Sequence, residues 1–487
     1  MGNAYYSHII EAKDGNALPV CKNAAGQEIA LHSKYNPIRE AESFAAQVDA
    51  NCAFFVVIGL AGGYHIQKLR EKCPECTILA VEATQTDIDF LSQIPTVAQF
   101  KNDKRIFLTD LASLKHSLLS LYKPALHGNA TILSLRQWET LFSEAGAQAR
   151  AIITETIKLL SADFSVQSHF GKIWQKNILS NLSLAEKTKK ITDRAAKIDT
   201  KKTAAIIAAG PSLDNEIQTL KENRAAYFII ATDTAFSALL KQGIESDAVV
   251  SIDGQYISHA HYLEQLPKNT LYVFDLCATT ASVRKALSAG TVIFAETGHP
   301  LAQYASFFDG AQNFLHLEAG SGTVTIAAAS FAQALGFSNA HIQFFGADFS
   351  YIAGRPYARG TYLESSFYSQ QNRFNTAEKS YTALMFRTAT KKISEEAITT
   401  EILEAYKTSL ADFMSRTRET NHLPYGTFNF KNFKSQYCKE LKESFKNERE
   451  FNENTNAFTT LLPLCAKLGK GSAFLAYLKT LSYTESV

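Results

Sequence analysis

The sequence predicts an α/β protein: a central doubly wound, Rossmann-like, mostly parallel sheet, an N-terminal βαβ Rossmann-like domain before it and a helical C-terminal region after it. Three observations carry this. Between residues 201 and 358 the apolar runs "TAAIIAA", "AYFIIAT", "AVVSI", "LYVFDL", "TVIFAE" and "HIQFFGA" alternate with helical segments, the rhythm of parallel strands wrapped by helices. Near the N-terminus "FFVVIGLAGGYHIQKLREKCPECTILAVEAT" reads strand, glycine turn, helix, strand. Toward the C-terminus "SEEAITTEILEAYKTSLADFM" and "KELKESFKNEREFNE" carry helical periodicity with dense charge.

At 487 residues the chain is too long for one compact core. The expected division is an N-terminal domain over 1–145, a helical connector over 146–200, the central domain over 201–365 and a helical domain over 366–487. Basic and acidic side chains nearly balance, 49 against 47, with no local excess that would form a nucleic-acid groove. The Lys-rich stretch "AEKTKKITDRAAK" reads as a solvated face. Seven cysteines, an odd number scattered through a long chain, and an N-terminus without the basic-then-apolar pattern of a signal peptide fit a reducing cytoplasm. No apolar run approaches the ~20 residues needed to span a bilayer. Cys73 and Cys76 form a lone C-x-x-C with no second pair, so no metal site is expected.

In the N-terminal unit Gly59, Gly62 and Gly63 form the turn and Glu82 ends the second strand, where a ribose-binding acid stands in dinucleotide sites. The spacing G-x-x-G-G departs from G-x-G-x-x-G, which leaves open both a cofactor site and a turn kept for packing. The following "SVQSHFGKIWQKNILSNLSLAEK" has helical spacing, with Trp174 and Phe170 placed for packing.

Parallel strands deliver their last residues to one edge, where open α/β folds bind ligands. Those endings are Gly210-Pro211-Ser212, Asp233-Thr234, Asp253-Gly254, Asp275, Glu296 and Gly346-Ala347-Asp348. Gly210 admits close backbone approach, Pro211 suits a first helical position, and Ser212 adds a hydroxyl beside unpaired N–H groups, which makes an anion cradle. The same residues also suit a strand-to-helix junction that needs Gly and Pro for geometry alone. Asp233 and Asp253 would repel a phosphate and suit ribose hydroxyls or a base amine, or else the cap of the next helix. A second anion-friendly turn, Gly320-Ser321-Gly322-Thr323, opens an Ala-rich helix. After "HIQFFGADF" comes a glycine-centred loop bearing Tyr351, Arg355 and Tyr357, which reads either as donors suited to a departing phosphate or as an ordinary aromatic surface loop.

Together, "IIAAGPSLD", "ATDTAF", "VVSIDG", "SGTVTIAAASFAQALGF", "FFGADFSY" and "GRPYARGTY" resemble the motility-associated factor (Maf) family of bacterial flagellin glycosyltransferases, as do "SKYNPIREAE", "VVIGLAGGYHIQKL" and "WQKNILSNL". The resemblance covers the chain to about residue 365. The central zone is also similar to bacterial CMP-sialic-acid-dependent sialyltransferases. That similarity implies that Gly210, Pro211, Ser212, Ser321, Gly322, Gly346 and Asp348 line a CMP site and that Tyr351 and Tyr357 hold the departing phosphate. It also implies a catalytic histidine, with His422 in "ETNHLPYGTFNF" first and His299 and His316 open beside it. Asp233, Thr234, Asp253, Gly254 and Thr323 join the nucleotide-sugar site as strand-end and helix-start residues.

The resemblance implies a cytoplasmic glycosyltransferase that moves a nonulosonic sugar, such as pseudaminic or legionaminic acid, from a CMP donor to Ser or Thr of flagellin. No bound cofactor is expected, the CMP-activated sugar being the donor substrate. Flagellin is the expected partner, nucleic acid and a membrane span are not expected, and oligomeric state stays open. Two alternatives remain: a hydroxymethylpterin pyrophosphokinase-like diphosphate transferase, which the central zone also resembles, and a non-catalytic flagellin-binding factor.

Overall fold

The computed structural model describes residues 5–23, 25–188, 191–320, 322–416, 423–424 and 426–487. They form two compact units: residues 1–171 with 462–473, and residues 172–461 with 474–487.

The first unit contains a small antiparallel sheet of β1 (Tyr5–Glu11), β2 (Ala17–Lys22) and β3 (Glu28–Ala30), which the sequence pattern did not announce. Its main sheet is β4 (Phe54–Ile58), β5 (Thr77–Glu82), β6 (Ile106–Asp110) and β7 (Thr131–Ser134), all parallel, in the order β6-β5-β4-β7. Helix α1 (Tyr64–Lys72) joins β4 to β5. Every residue of β4 and β5 is buried. Both faces are covered, so these strands read as continuous apolar runs instead of alternating ones.

Helix α2 (Ser143–Ala185) carries the chain from the first unit into the second. There β8 (Thr203–Ile207), β9 (Tyr227–Thr232), β10 (Ala248–Ser251), β11 (Leu271–Asp275), β12 (Thr291–Glu296), β13 (Leu315–His316) and β14 (Ile342–Phe345) form one sheet. Its order is β13-β12-β11-β10-β9-β8-β14 and every pairing is parallel. The six expected runs are strands; β13, with two residues, is too short to stand out in a sequence. The helices that position the site are α3 (Leu213–Glu222), α4 (Asp233–Lys241), α5 (Pro300–Ser306) and α6 (Val324–Ala334).

Helix α6 is buried from Thr325 through Ala332 and packs its alanines against the strands, with Ile206, Ile230 and Val250 in the same core. Small side chains let helix and sheet approach closely, and a helix buried nearly all round marks an enclosed position. A third sheet, also unannounced, pairs β15 (Tyr351–Ile352), β16 (Thr390–Lys392) and β17 (Ala397–Thr400) antiparallel in the order β15-β17-β16, flanked by α7 (Ala377–Met385) and α8 (Glu401–Ser415). The C-terminal region is therefore mostly helical but contributes two strands near residues 390–400.

Candidate functional site

From β8 the chain of the second unit winds outward through β9 to β13 and then returns to place β14 on the other side of β8. At such a reversal the loops after neighbouring strands diverge and open a crevice at the carboxyl edge. A cavity of about 280 Å³ lies there, lined by Ala208 to Gly210 after β8, Thr232 and Thr234 after β9, Gly346 to Tyr351 after β14, and Gly322 to Thr325 at the start of α6.

Two glycines allow the strand ends to run side by side. The Gly210 N–H donates to the Gly346 carbonyl at 2.8 Å, and a Cβ on Gly210 would collide with that carbonyl and with the Asp348 carboxylate. Gly346 has φ +61°, and a Cβ there would strike the Ala208 carbonyl. Asp348 lines the cavity and accepts the Ser212 N–H through Oδ2 at 2.9 Å. Glu216 Oε2 accepts the Gly346 N–H at 2.8 Å.

These bonds change the reading of "GPS". The Ser212 N–H, expected to face an anion, is held by Asp348, and α3 begins only at Leu213. Pro211 is buried, and neither it nor Ser212 lines the cavity. Asp214 accepts Arg355 Nη1 at 2.6 Å and the Arg359 N–H at 2.8 Å. Arg355, expected to meet a phosphate, is thereby committed to an ion pair that straps the Tyr357 loop to α3.

Asp233, Asp253 and Gly254 also stand away from the cavity. Asp233 is buried, its Oδ1 accepting the N–H and hydroxyl of Thr234 at 2.7 and 3.2 Å and its Oδ2 the Ser251 hydroxyl at 2.6 Å. It organises the start of α4 and leaves Thr234 in the cavity wall. Asp253 Oδ1 accepts the Gln255 N–H at 2.9 Å; burial, with Asp233 nearby, raises its carboxyl above the usual range. A Cβ on Gly254 would press into the Trp174 ring and the Cys277 carbonyl. The "WQKNILSNL" motif clamps these loops: Asn177 Nδ2 donates to the carbonyls of Gly254 and Cys277, and Asn181, one turn on, to those of Leu276 and Ala278.

Anion-binding geometry lies on the other wall. The N-terminus of α6 opens into the cavity, with Thr323 Oγ1 accepting the Thr325 N–H at 3.3 Å. Its macrodipole and first N–H groups favour negative charge. Tyr351 and Tyr357 line the same space, and burial raises both phenols, so they are O–H donors at neutral pH. Arg387 opposes that rise electrostatically at both tyrosines; it follows α7, whose Met385 packs in one cluster with Tyr351. Its guanidinium is exposed. The sequence reading missed Arg387, as it missed Tyr406 and Leu403, which α8 brings into the cavity wall, and Phe349, held at φ +48° beside Asp348. Strained backbone of this kind gathers at functional positions. The "GADF" pattern was the available signal for Phe349; nothing local marked the others.

Ser321 and His422 lie outside the described residues. His299 caps α5 by accepting the Leu301 N–H on Nδ1 at 3.1 Å, and burial lowers its pKa to about 3. Among the described residues no three His, Cys, Asp or Glu side chains are gathered as a metal site, and no helix is long and apolar enough to cross a membrane.

The glycine turn of the first unit is filled by the protein itself. A Cβ on Gly59 (φ +95°) would lie 2.8 Å from Trp138, and one on Gly63 (φ +75°) 2.9 Å from Phe100. Glu82 is fully buried and accepts the Trp138 indole N–H at 2.6 Å, the Tyr6 hydroxyl at 3.0 Å and the N–H groups of Leu60 and Ala83 at 3.2 and 2.9 Å. The acid at the ribose position has its donors within the fold.

An α/β chain with a cavity at its strand-order reversal is the class these features define. Its fold is that of a Maf glycosyltransferase: a structure from Magnetospirillum magneticum matches with a TM-score of 0.51 and 13% identity, over 99% of this chain and 86% of that one. Residues 176–354 match the family model described as 6-hydroxymethylpterin diphosphokinase MptE-like. An uncharacterized protein of Treponema pallidum is 34% identical over 183 residues, 37% of this chain and 86% of that relative. A second one from the same organism is 36% identical over 186 residues, 37% of this chain and 65% of its own length. The chain belongs to the family of the first of these Treponema proteins, with an MptE-like domain set in a Maf fold.

Proposed function

We propose that the protein is a glycosyltransferase that transfers a nonulosonic sugar from a CMP donor to Ser or Thr hydroxyls of flagellin. The carrying observation is the cavity at the strand-order reversal, where the α6 N-terminus and two protonated phenols line one space. In this reading the nucleotide phosphate rests against the start of α6, Tyr351, Tyr357 and Arg387 stabilise the charge that grows as CMP departs, and Gly210 and Gly346 give room for the ligand against the backbone. The donor is a substrate and the chemistry needs no resident cofactor. The likeness to a Maf glycosyltransferase structure and the motifs "GPSLD" and "FFGADF" support the same reading.

A thermal-shift panel with CMP, CDP, UDP, ATP and S-adenosylmethionine tests it, because a ligand that binds only the folded state raises apparent stability. Selective stabilisation by CMP is expected, followed by mass addition to flagellin from CMP-nonulosonate; stabilisation by another member alone would reject the donor class.

The MptE-like match favours a second reading, diphosphate transfer from ATP to a hydroxymethylpterin. It ranks lower because the carboxylates it would recruit are engaged: Asp233 with Thr234 and Ser251, Asp348 with Ser212. Formation of AMP and pterin diphosphate by the purified protein would reverse the order.

A further inference from the structure

Two threonine hydroxyls in the cavity wall present opposite polarity. Thr234, on the first turn of α4, donates its hydroxyl hydrogen to Asp233 Oδ1 at 3.2 Å, and the same carboxylate oxygen accepts the Thr234 N–H at 2.7 Å. Asp233 is 4% exposed and is held in place from its other side, where Oδ2 accepts the hydroxyl of Ser251, on the neighbouring strand β10, at 2.6 Å. A threonine hydroxyl has one hydrogen and two lone pairs. With the hydrogen directed inward, Thr234 Oγ1, half-buried in the wall, offers the cavity lone pairs alone. Thr323, at the start of α6, is the reverse: its Oγ1 accepts the Thr325 N–H at 3.3 Å, so its hydrogen is left to meet an acceptor, in keeping with a helix start that favours anions. The Asp348 carboxylate also lines the cavity, but from the loop after β14, and β8 lies between that strand and β9, which leads into Thr234. A ligand lying across the end of β8 therefore meets Thr234 on one side and Asp348 on the other.

We propose that Thr234 is a specificity-determining residue whose Oγ1 accepts a hydrogen bond from an N–H or O–H of the bound nucleotide. The inference rests on the CMP-donor reading above. Two groups of that nucleotide have this chemistry: the exocyclic amine of cytosine and a hydroxyl of the ribose. Either one selects the ligand through the consequence of its absence. Uracil, which carries a carbonyl oxygen in place of the amine, would set lone pair against lone pair, and a ribose without the hydroxyl would leave the Thr234 oxygen unpaired against the ligand. Asp233, which the sequence suggests as a direct partner of ribose or base, stands one hydrogen bond behind that contact.

The test measures calorimetric affinities of wild type, Thr234→Val and Thr234→Ser for CMP, UMP, 2′-deoxy-CMP and 3′-deoxy-CMP, with the melting temperature of each unliganded variant as the check on folding. Wild type is expected to bind CMP about tenfold more tightly than at least one of the three analogues. Thr234→Val, which keeps the branched shape and loses the acceptor, is expected to weaken CMP about tenfold and to leave that analogue's affinity unchanged, so that the preference between them disappears. Thr234→Ser, which keeps the hydroxyl, is expected to retain both affinity and preference. Loss of the preference over UMP assigns the contact to the base amine, and loss of the preference over a deoxy analogue assigns it to that ribose hydroxyl. Equal wild-type affinity for all four ligands, a result that needs no variant to fold, overturns this inference and leaves CMP binding standing. So does a Thr234→Val protein that keeps the wild-type preferences, whatever its absolute affinities. Failure of wild type to bind CMP overturns the CMP-donor reading and this inference with it.

Discussion

Two strand-order reversals in this molecule have opposite fates. In the first unit the sheet order reverses between β4 and β7, and the crevice after β4 is filled by Trp138, fully buried, with its indole N–H on Glu82. In the second unit the reversal falls between β8 and β14, and the crevice stays open, walled by Gly210, Gly346 and the start of α6. Both turns carry glycine, three after β4 and Gly210 after β8, and both follow a buried apolar strand. What separates them is what the neighbouring chain supplies: an aromatic ring from the short helix Arg136–Leu141 in one case, small residues and a helix N-terminus in the other. A glycine turn at a switch point therefore signals close approach of something, and the partner decides whether that is ligand or core.

The largest expected effect comes from emptying the filled crevice. Trp138→Ala should destabilise the first unit by about 3–5 kcal/mol in chemical denaturation, the range for deleting a buried large aromatic. The CMP-induced melting shift of the second unit should persist. Gly59→Ala should also destabilise, and less so in the Trp138→Ala background, because its Cβ then loses the atom it strikes; a double-mutant cycle reads that coupling. A nucleotide-dependent shift that appears only on removing Trp138 would instead show a crevice merely blocked.

Gly210→Ala should cost on the order of 1–3 kcal/mol through overpacking against Gly346 and Asp348 and abolish the CMP shift. Arg387→Ala should leave the melting temperature of the unliganded protein unchanged, since the side chain is exposed, and weaken CMP about tenfold by calorimetry, roughly 1.4 kcal/mol. An unchanged affinity would remove Arg387 from the site.

A further effect is one of pH, and it is common to both units. Burial lowers His65 in the first and His299 in the second from 6.5 to about 3. Between those values the unfolded chain binds protons that the folded chain refuses, so stability is full above pH 6.5 and falls as pH drops toward 3. His299→Asn, which keeps an acceptor for the Leu301 N–H, should flatten that fall for the second unit when melting temperature is followed from pH 7 to pH 4.

The main strands were readable because strands covered on both faces must be continuous apolar runs between turn residues. The same logic placed Gly210, Thr234, Gly322, Thr323, Gly346, Asp348, Tyr351 and Tyr357 at one edge, and the structure brings them to one cavity. Long-range commitments were not readable. Asp233 looks like a ligand acid until Ser251, on the next strand, takes its second oxygen. Arg355 looks like a phosphate donor until Asp214, 141 residues earlier, claims its guanidinium. Trp138 carries no local mark that its ring will lie over Gly59. A sequence displays what a residue type can do, while its partner often comes from distant chain.

The pairing of β8 with β14 has a consequence for biosynthesis. The two walls of the cavity belong to the first and last strands of the sheet, and the Ser212–Asp348 bond spans 136 positions. A nascent chain that has already made β8 to β13 holds most of the sheet yet only half of the crevice, and contacts this distant in sequence close late. Ligand affinity should thus arrive only after β14 and, beyond it, Tyr357, Leu403 and Tyr406 have left the ribosome, so products truncated before β14 should not compete with finished protein for the ligand.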